Sequence, residues 1–412
     1  FQLGSSGKDL YPKGEVLGMY LSRDEEAIYR GDRGETLRRM MEILVALGDI
    51  YGAERLVPVR SVQIAGVSYK NIGDAGLEWI SDLEGQVVVP SILNPAGMDL
   101  FRYKEMGISE EFASKQRETI EAYRRLGVII DCTCTPYQIY DSLAERGDHL
   151  AWSESSAVCY ANSVIGARTN REGGPSALAA ALIGKTALYG YHLDHNRQPS
   201  HVIEAKAELE GSDYGALGFL VGKEVGDGVP LFRLRSSPTK DELKALGAAM
   251  AASGSVALYY VDGVTPKPPE PTANYDGCER ISIEWEEIEA VYDEHGGDDA
   301  DIVALGCPHC SGEELERIAD LLAGQKVKKE MWVCTARKIK DACPDLVARI
   351  ESSGARVFCD TCMVVSPATE GFEKMMVNSG KALVYLPGLG GVDATFGSLE
   401  ECIDVALGRK RS

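Results

Sequence analysis

Three predicted strands lead into loops that carry cysteine, a side chain whose thiolate binds iron and zinc. The cysteines form three pairs: Cys132 with Cys134, Cys307 with Cys310, and Cys359 with Cys362. One cysteine from each loop would make a three-thiolate site. An iron–sulfur cluster held in this way keeps one iron without a protein ligand, and that iron can act as a Lewis acid.

Spacing alone leaves other interpretations of these cysteines open. Cysteine is among the most buried residue types, so structural thiols fit the spacing as well as a cluster does. The two Cys-x-x-Cys pairs also suggest zinc, although Cys310 and Cys359 lie further apart than the ligands of a typical zinc ribbon. Thiol redox chemistry is a further interpretation, but it would not need three cysteine loops.

The segment 152–197 is the second candidate for chemistry, because polar side chains crowd a stretch whose flanks are apolar. Its polar residues are Glu154, Ser155, Ser156, Asn162, Ser163, Arg168, Thr169, Asn170, Arg171 and Glu172. Serine and asparagine are weak helix formers, and arginines beside amides are suited to binding anions. The apolar flanks predict that the segment is buried. Since buried polar groups need partners, it predicts the wall of a binding site.

Repeated strand–loop–helix units must position these residues. Strands are predicted within 57–66, 86–93 and 128–132, and again before the cysteine loops of the last third of the chain. Amphipathic or polar helices are predicted at 22–48, 109–126 and 240–253. This alternation predicts an α/β protein. Ligands of such folds bind at the carboxyl ends of the strands.

The chain is too long for a single hydrophobic core, since it has 412 residues. We predict a leader at 1–18, an α/β region of two subdomains at 19–265, a Pro-rich linker at 266–280 and a C-terminal α/β domain at 281–412. The linker prediction rests on the run TPKPPEPTANYDG. The C-terminal domain would carry two of the three cysteine loops.

The charge of the chain excludes several classes of partner. A formal net charge of −20 argues against binding to nucleic acid or to an anionic membrane surface. No apolar run approaches the ~20 residues that span a bilayer, and no secretory signal is visible. The sequence therefore predicts a cytoplasmic protein.

Several long motifs together resemble the large subunit of the aconitase X family. They are CTPY (134–137), ESSAVCYANSVIGARTNREGGPSA (154–177), YGYHLDHNR (189–197), VALGCPH (303–309), DTCMVV (360–365) and NSGKALVYLPG (378–388). The resemblance extends over 19–408. It implies a multidomain aconitase-like α/β fold that corresponds to the first three domains of aconitase. It also implies an obligate partner, a small subunit that supplies the fourth, swivelling domain.

The resemblance further implies which residues form the site. The ligands of a [4Fe-4S] cluster would be Cys134, Cys307 and Cys362, with Cys310 and Cys359 not involved. The substrate-binding residues would be Gly66, Val67, Ser68, Asn94, Pro95, Glu154, Ser155 and Lys381. Glycine lets backbone N–H groups approach an anion, and a lysine supplies a point positive charge for phosphate or carboxylate. The catalytic base would be a serine of the small subunit, with His192 as a candidate within this chain.

The activity implied by the resemblance is dehydration of a small hydroxy acid. Archaeal members of the family convert (R)-5-phosphomevalonate into trans-anhydromevalonate 5-phosphate in the mevalonate pathway of isoprenoid synthesis, and the chain looks most like these. Bacterial members include cis-3-hydroxy-L-proline dehydratase, which is the alternative. A zinc-stabilised subunit without catalytic function, and a thiol redox enzyme, are the hypotheses from other functional classes.

Overall fold

The computed structural model describes residues 18–269 and 275–410 of the chain. The predicted leader, except its last residue, and positions 270–274 of the predicted linker therefore lie outside the described residues. Within the described part, three parallel β-sheets are covered by helices. No helix in these two ranges is both long enough and apolar enough to cross a bilayer.

The first sheet contains the strands that precede the first cysteine loop. The elements of this region are α1 (Arg23–Tyr29), α2 (Glu35–Tyr51), β1 (Leu56–Pro58), β2 (Val62–Ile64), α3 (Tyr69–Ser81), β3 (Ser91–Leu93), α4 (Glu110–Arg125), β4 (Ile129–Cys132), β5 (Ala151–Trp152), α5 (Ser155–Tyr160), α6 (Gly174–Ile183) and β6 (Lys185–Ala187). The strand order is β4-β3-β2-β5, and all neighbours are parallel. Strands β1 and β6 form a separate antiparallel pair.

The prediction of one helix across 22–48 is wrong, because the chain breaks between α1 and α2. Gly31 and Gly34 have φ angles of 89° and 103°. Side chains other than glycine rarely adopt such angles, so the two glycines permit a turn that periodicity alone does not reveal. A capping box at Ser22 begins α1, and α2 packs its apolar face against α6.

The second sheet lies between the two cysteine-bearing regions of the chain. Its elements are β7 (His201–Ala205), α7 (Asp213–Val225), β8 (Pro230–Arg233), α8 (Lys240–Ser253), β9 (Tyr260–Val261), β10 (Glu279–Ile283) and α9 (Trp285–His295). The strand order is β10-β7-β8-β9, again parallel throughout. Strand β10 spans the predicted boundary between the linker and the C-terminal domain. Helix α8 packs against both α5 and α7.

The third sheet carries the remaining cysteine loops. Its elements are β11 (Ile302–Cys310), α10 (Gly312–Leu321), β12 (Glu330–Thr335), α11 (Arg337–Ala342), α12 (Pro344–Ser352), β13 (Arg356–Cys359), β14 (Lys374–Val377), α13 (Gly380–Tyr385), β15 (Asp393–Phe396) and α14 (Leu399–Ala406). The strand order is β13-β12-β11-β14-β15, and every pairing is parallel. Helix α13 packs against α8 and α7 of the second region.

Candidate active site between two sheet edges

The carboxyl ends of the first sheet deliver four of the predicted site segments. Gly66 to Ser68 follow β2, Asn94 follows β3, Cys134 follows β4 and Glu154 follows β5. Because neighbouring strands are parallel, these ends lie at one edge of the sheet, which is where ligands of α/β folds bind. The four segments are thus brought together by the topology rather than by closeness in sequence.

The third sheet delivers the other predicted residues at its own carboxyl edge. Cys362 follows β13, and Lys381 lies on α13 after β14. Cys307 lies inside β11, where the pairing with β12 is interrupted between Leu305 and Cys310. The interruption requires Gly306, whose φ is 95° and at which a Cβ atom would lie 2.1 Å from the carbonyl oxygen of Cys334. This bulge directs Cys307 out of the regular strand.

A buried ion pair joins the two sheet edges. The Lys381 ammonium contacts a carboxylate oxygen of Glu154, 227 positions away in sequence, and lies 3.3 Å from the hydroxyl oxygen of Ser156. Both charged residues are buried, with exposed fractions of 6% and 8%. The second Glu154 oxygen accepts hydrogen bonds from the Ser156 hydroxyl at 2.5 Å and the Ala157 N–H at 2.8 Å, which caps α5.

The pair is held in its charged form. Burial raises the pKa of Glu154, but the neighbouring Lys381 ammonium outweighs burial, and the pKa is lowered overall. Burial likewise lowers the pKa of Lys381, and the carboxylate of Glu154 outweighs it, so that pKa is raised. A buried pair of this kind stays ionised because the attraction between the two charges compensates for the hydration that each has lost.

Three cysteines share this ion pair as their charged neighbour. Cys134, Cys307 and Cys362 are all buried free thiols, and each interacts electrostatically with both Glu154 and Lys381. Burial raises the pKa of all three thiols, to about 12 for Cys307, and the Lys381 ammonium opposes the rise. The structure therefore brings the three predicted ligands into one electrostatic environment.

The other cysteines of the three loops have different neighbours. Cys132 and Cys359 interact with Asp360 and Arg337. Cys310 interacts most strongly with Glu314 and Lys244, on the side of α8 and α10. This separation agrees with one thiol being supplied per loop, while the assignment of Cys134, Cys307 and Cys362 as ligands stays a prediction.

One buried imidazole connects all three cysteine loops. Besides its ring, the backbone N–H of His309 donates to the Cys134 sulfur at 3.1 Å. His309 Nε2 lies 2.8 Å from the carbonyl oxygen of Thr361, which can only accept, so Nε2 carries the proton. Burial lowers the pKa of His309 to about 4. The ring is therefore neutral, and Nδ1 accepts from the Thr133 hydroxyl at 2.9 Å.

His309 was missed by sequence reasoning, and so was Gln116. The Gln116 side chain, on α4, donates to the Val67 carbonyl at 2.8 Å and accepts from the N–H groups of Gly97 at 2.9 Å and Tyr69 at 3.1 Å. It therefore fixes the loops after β2 and β3 relative to each other. The only sequence signal was an amide on a helix that otherwise looked polar and exposed.

The loop from Gly66 to Ser68 lies against the third sheet as well. The Ser68 hydroxyl donates to the carbonyl oxygen of Val365, 297 positions later and just beyond Cys362. Gly66 has a φ of 78°, and its carbonyl accepts from the Tyr123 hydroxyl at 3.2 Å. The predicted anion loop is thus attached to the last cysteine loop by a direct hydrogen bond.

Buried polar atoms without a partner concentrate in these same loops. Within the described ranges, seven buried side-chain polar atoms lack a hydrogen bond, and five of them lie within six residues after the end of a strand of the first or third sheet. The five are Asn94 Oδ1, Tyr137 OH, Gln138 Oε1, Ser153 Oγ and Thr361 Oγ1. Native proteins satisfy most buried polar atoms, so a local excess indicates a site that binds a polar ligand.

The remaining predicted residues are placed as follows. Pro95 is buried next to Asn94, and the Ser155 hydroxyl lies 3.3 Å from Glu154. His192 has other neighbours: its Nδ1 lies 2.9 Å from Nδ1 of His149, and its charged neighbours are His149, Arg197 and Arg168. Burial lowers the pKa of His192 to about 3. These neighbours do not include Glu154 or Lys381, and a role of His192 as a base stays a prediction.

The donor set fits an iron–sulfur cluster. Among residues 18–269 and 275–410, no three His, Cys, Asp or Glu side chains surround a single-ion position. An iron–sulfur cluster needs its three ligands further apart than a single metal ion does, because each thiolate binds a different iron. Three buried thiols, a backbone N–H donated to the Cys134 sulfur and the cation of Lys381 beside the thiols suit such a group.

Comparison with known proteins agrees with this architecture along the chain. Family models of the aconitase X first, second and third domains match residues 18–195, 199–293 and 300–408. A solved structure of Thermococcus kodakaraensis aconitase X in its holo form superposes with a TM-score of 0.87 at 43% identity, covering 94% of this chain and all of that one.

Curated relatives point to the same family. The phosphomevalonate dehydratase large subunit of Methanosarcina mazei is 58% identical over 95% of this chain and 98% of its own length. The cis-3-hydroxy-L-proline dehydratase of Pseudomonas aeruginosa is a more distant relative, 33% identical over 95% of this chain and 70% of its own length. The predicted fold class, a multidomain aconitase-like α/β protein, is confirmed. The chain belongs to the aconitase X family.

The names of these relatives also bear on the predicted activity and partner. Both relatives are dehydratases, which supports the predicted hydro-lyase class. The name "large subunit" implies a small-subunit partner for the Methanosarcina protein.

Proposed function

We propose that this chain is the large subunit of an iron–sulfur hydro-lyase that converts (R)-5-phosphomevalonate into trans-anhydromevalonate 5-phosphate. The observation that carries the proposal is the Glu154–Lys381 ion pair, which joins two sheet edges beside three buried thiols. The archaeal large subunit with 58% identity supports the choice of substrate.

Cys134, Cys307 and Cys362 would hold a [4Fe-4S] cluster. When bound, such a cluster supplies a Lewis acid for the tertiary hydroxyl and the carboxylate of the substrate, since hydroxide is otherwise a poor leaving group. The backbone N–H of His309 would stabilise the charged sulfur of Cys134. The neutral imidazole keeps the three loops together without adding a charge of its own.

The anionic groups of the substrate would be bound by the other predicted residues. The turn at Gly66 to Ser68 would offer backbone amides to an anion from the edge of the first sheet, and Lys381 would offer a cation from the edge of the third. Asn94 Oδ1 is buried without a partner and would accept a hydrogen bond from a substrate hydroxyl. Glu154 and Ser155, at the start of α5, would bind the substrate from the same edge of the first sheet as Asn94.

The base that removes the C2 proton would come from the small subunit, as a serine on the swivelling domain. A general base must lie within hydrogen-bond reach of its proton. His192, the candidate in this chain, has its contacts elsewhere. The chain covers 70% of the Pseudomonas relative, which leaves room in that longer protein for a fused domain equivalent to the small subunit.

We place the enzyme in the cytoplasm. All eleven cysteines are free thiols, and most of them are buried. Free thiols persist in a reducing compartment, and an iron–sulfur cluster needs its ligands unoxidised.

The proposal is tested by assembling the chain with its small subunit under anaerobic conditions, loading iron and sulfide, and following water elimination. We expect turnover of (R)-5-phosphomevalonate and none of cis-3-hydroxy-L-proline. The large subunit alone, equally loaded with iron, is the control and should be inactive.

Three results would contradict the proposal in different ways. Turnover of hydroxyproline alone would assign the chain to the other activity of the family. A colourless protein with stoichiometric zinc after anaerobic purification would favour a structural role for the cysteines instead. Equal rates with and without the small subunit would place the base in this chain.

A further inference from the structure

Tyr137 has the features of a ligand-binding residue, although it is not among the residues predicted to form the site. It lies in the short 3₁₀ turn Pro136–Gln138, directly after Cys134 and Thr135. Its ring stacks on the ring of Tyr160, with centroids 3.8 Å apart and planes 7° from parallel. Tyr160 ends α5, the helix that Glu154 caps. The ring of Tyr137 is therefore fixed by the same helix that carries the ion pair.

The hydroxyl of Tyr137 is buried and makes no hydrogen bond within the described residues. Three tyrosines that are buried as whole residues differ in this respect. The hydroxyls of Tyr259, Tyr260 and Tyr123 donate to backbone carbonyl oxygens at 2.8, 2.9 and 3.2 Å. An unpaired buried hydroxyl destabilises a fold unless a ligand accepts its hydrogen bond. The contrast indicates that the Tyr137 hydroxyl is available to donate a hydrogen bond to a ligand.

The neighbours of Tyr137 identify the site to which that ligand belongs. Apart from Tyr160, the strongest electrostatic neighbours of its hydroxyl are Cys134 and Glu154. Gln138 Oε1, one residue further, is also buried without a partner. The turn after Cys134 thus presents unpaired polar atoms next to the thiol and to the ion pair.

We propose that Tyr137 contacts the substrate directly, donating a hydrogen bond from its hydroxyl to an oxygen at the end of the hydroxy acid that loses water. This inference rests on the proposed function. The position beside Cys134 places the donor near the hydroxyl and carboxylate of the substrate rather than near a distant phosphate. Burial raises the pKa of Tyr137 well above its usual range, so the hydroxyl keeps its proton and remains a donor.

Tyr137→Phe in the complete two-subunit complex is the test. We expect kcat/KM to fall about tenfold or more, as for a lost hydrogen bond to a charged oxygen. Iron content, visible absorbance and the midpoint of thermal unfolding should not change, because the hydroxyl has no partner in the protein. Inhibition by inorganic phosphate should also be unchanged.

Tyr140→Phe is the matched control. The Tyr140 hydroxyl donates to Asp131 within the protein. We expect this variant to keep its kcat/KM and to lower the unfolding midpoint slightly, the reverse of Tyr137→Phe.

The outcomes separate this inference from the proposed function. An active wild-type complex with unchanged kcat/KM in Tyr137→Phe overturns the role of Tyr137. A lower unfolding midpoint or lost iron in Tyr137→Phe also overturns it, because the hydroxyl would then be structural. A wild-type complex that acts only on hydroxyproline overturns the proposed substrate, and the same comparison of variants on that substrate then decides the role of Tyr137.

Discussion

Lys381 and Lys244 are two buried lysines next to the segment from Cys307 to Cys310, and they differ in how fully their ammonium groups are satisfied. Lys244 contacts the carboxylates of Asp241 and Glu314 and donates to the carbonyl oxygen of His309 at 3.3 Å. An ammonium has three N–H donors, so all three are used. Within the described ranges, Lys381 contacts only two acceptors, Glu154 and Ser156.

The difference distinguishes a structural cation from one that can bind a ligand. Lys244 joins α8 to the start of α10 and to β11, and its two carboxylates more than balance its charge. Lys381 has one carboxylate for one ammonium and retains a donor at the edge where unpaired polar atoms gather. The two thiols follow the same division, since Cys307 is a neighbour of Lys381 and Cys310 of Lys244.

The largest effect is expected from the two thiols themselves. Cys307→Ser should abolish iron binding and activity, because a hydroxyl cannot replace the thiolate ligand. Cys310→Ser, three residues away in the environment of Lys244, should retain both. Iron and sulfide per chain after anaerobic reconstitution measure the difference. Normal iron content in Cys307→Ser would contradict the assignment of Cys307, rather than Cys310, as an iron ligand.

Replacement of Lys381, the lysine that retains an N–H donor, should lower kcat/KM. Lys381→Met should lower kcat/KM about 10- to 150-fold, since a charge-assisted hydrogen bond contributes roughly 1.5–3 kcal/mol. It also leaves Glu154 buried without its partner. The Glu154→Gln/Lys381→Met double variant therefore serves as the control. It should recover unfolding stability but not kcat/KM, and recovery of both would make the pair purely structural.

Replacement of Lys244, the lysine whose three N–H donors are all used, should lower the free energy of unfolding instead. Lys244→Met leaves Asp241 and Glu314 facing each other without a cation, so we expect a loss of about 3–5 kcal/mol in the free energy of unfolding. Adding Glu314→Gln should restore part of it. Turnover per iron-loaded complex should remain near that of the wild type. A fall in kcat/KM as large as that of Lys381→Met would remove the distinction between the two lysines.

The smallest effect concerns the two glutamates and pH. The pKa of Glu154 is lowered because Lys381 outweighs burial, whereas the pKa of Glu314 is raised because burial outweighs Lys244. As pH falls below the ordinary value of ~4.3, the unfolded chain protonates first at Glu154, and the stability contributed there is lost. At Glu314 the folded chain takes up its proton first, at higher pH, so acidification adds stability.

Urea unfolding midpoints between about pH 7 and pH 2.5 test these opposite signs, with Glu314 expected to act above ~4.3 and Glu154 below it. Glu154→Gln should flatten the loss of stability in acid, and Glu314→Gln should steepen it. Variants that both follow the wild-type profile would show that neither carboxyl has a shifted pKa.

Most of the architecture could be predicted from the sequence. The alternation of strands and helices predicted the α/β class, and the polar segment after Trp152 is buried as expected, with Ser156, Asn162 and Thr169 among its inaccessible residues. The strand-end position of the cysteines agrees with their place at the carboxyl edges of the first and third sheets. These features are local, because burial pattern, strand ends and turn residues are each written within a few positions.

The residues that the sequence did not reveal act through contacts between distant segments. His309 contacts Cys134 across 175 positions, and Gln116 contacts Val67 across 49. A single amide or imidazole has no periodicity that would indicate such a role. Tyr137 was part of a recognised motif, but its unpaired hydroxyl is visible only when every neighbouring acceptor has been placed. The helix break at Gly31 and Gly34 was hidden by an apolar pattern that continues across it.

The imidazole of His309 joins the three cysteine loops by hydrogen bonds to Thr133 and Thr361, and these bonds involve no metal. Closing a flexible loop of 175 residues, the separation between His309 and Cys134, costs roughly 4–5 kcal/mol in chain entropy. In the folded chain, hydrogen bonds that need no metal offset this loss of chain entropy. On the proposed function, the cluster would bind to loops that protein hydrogen bonds already hold together. Such binding differs from that of a zinc finger, in which the metal itself drives the chain to fold.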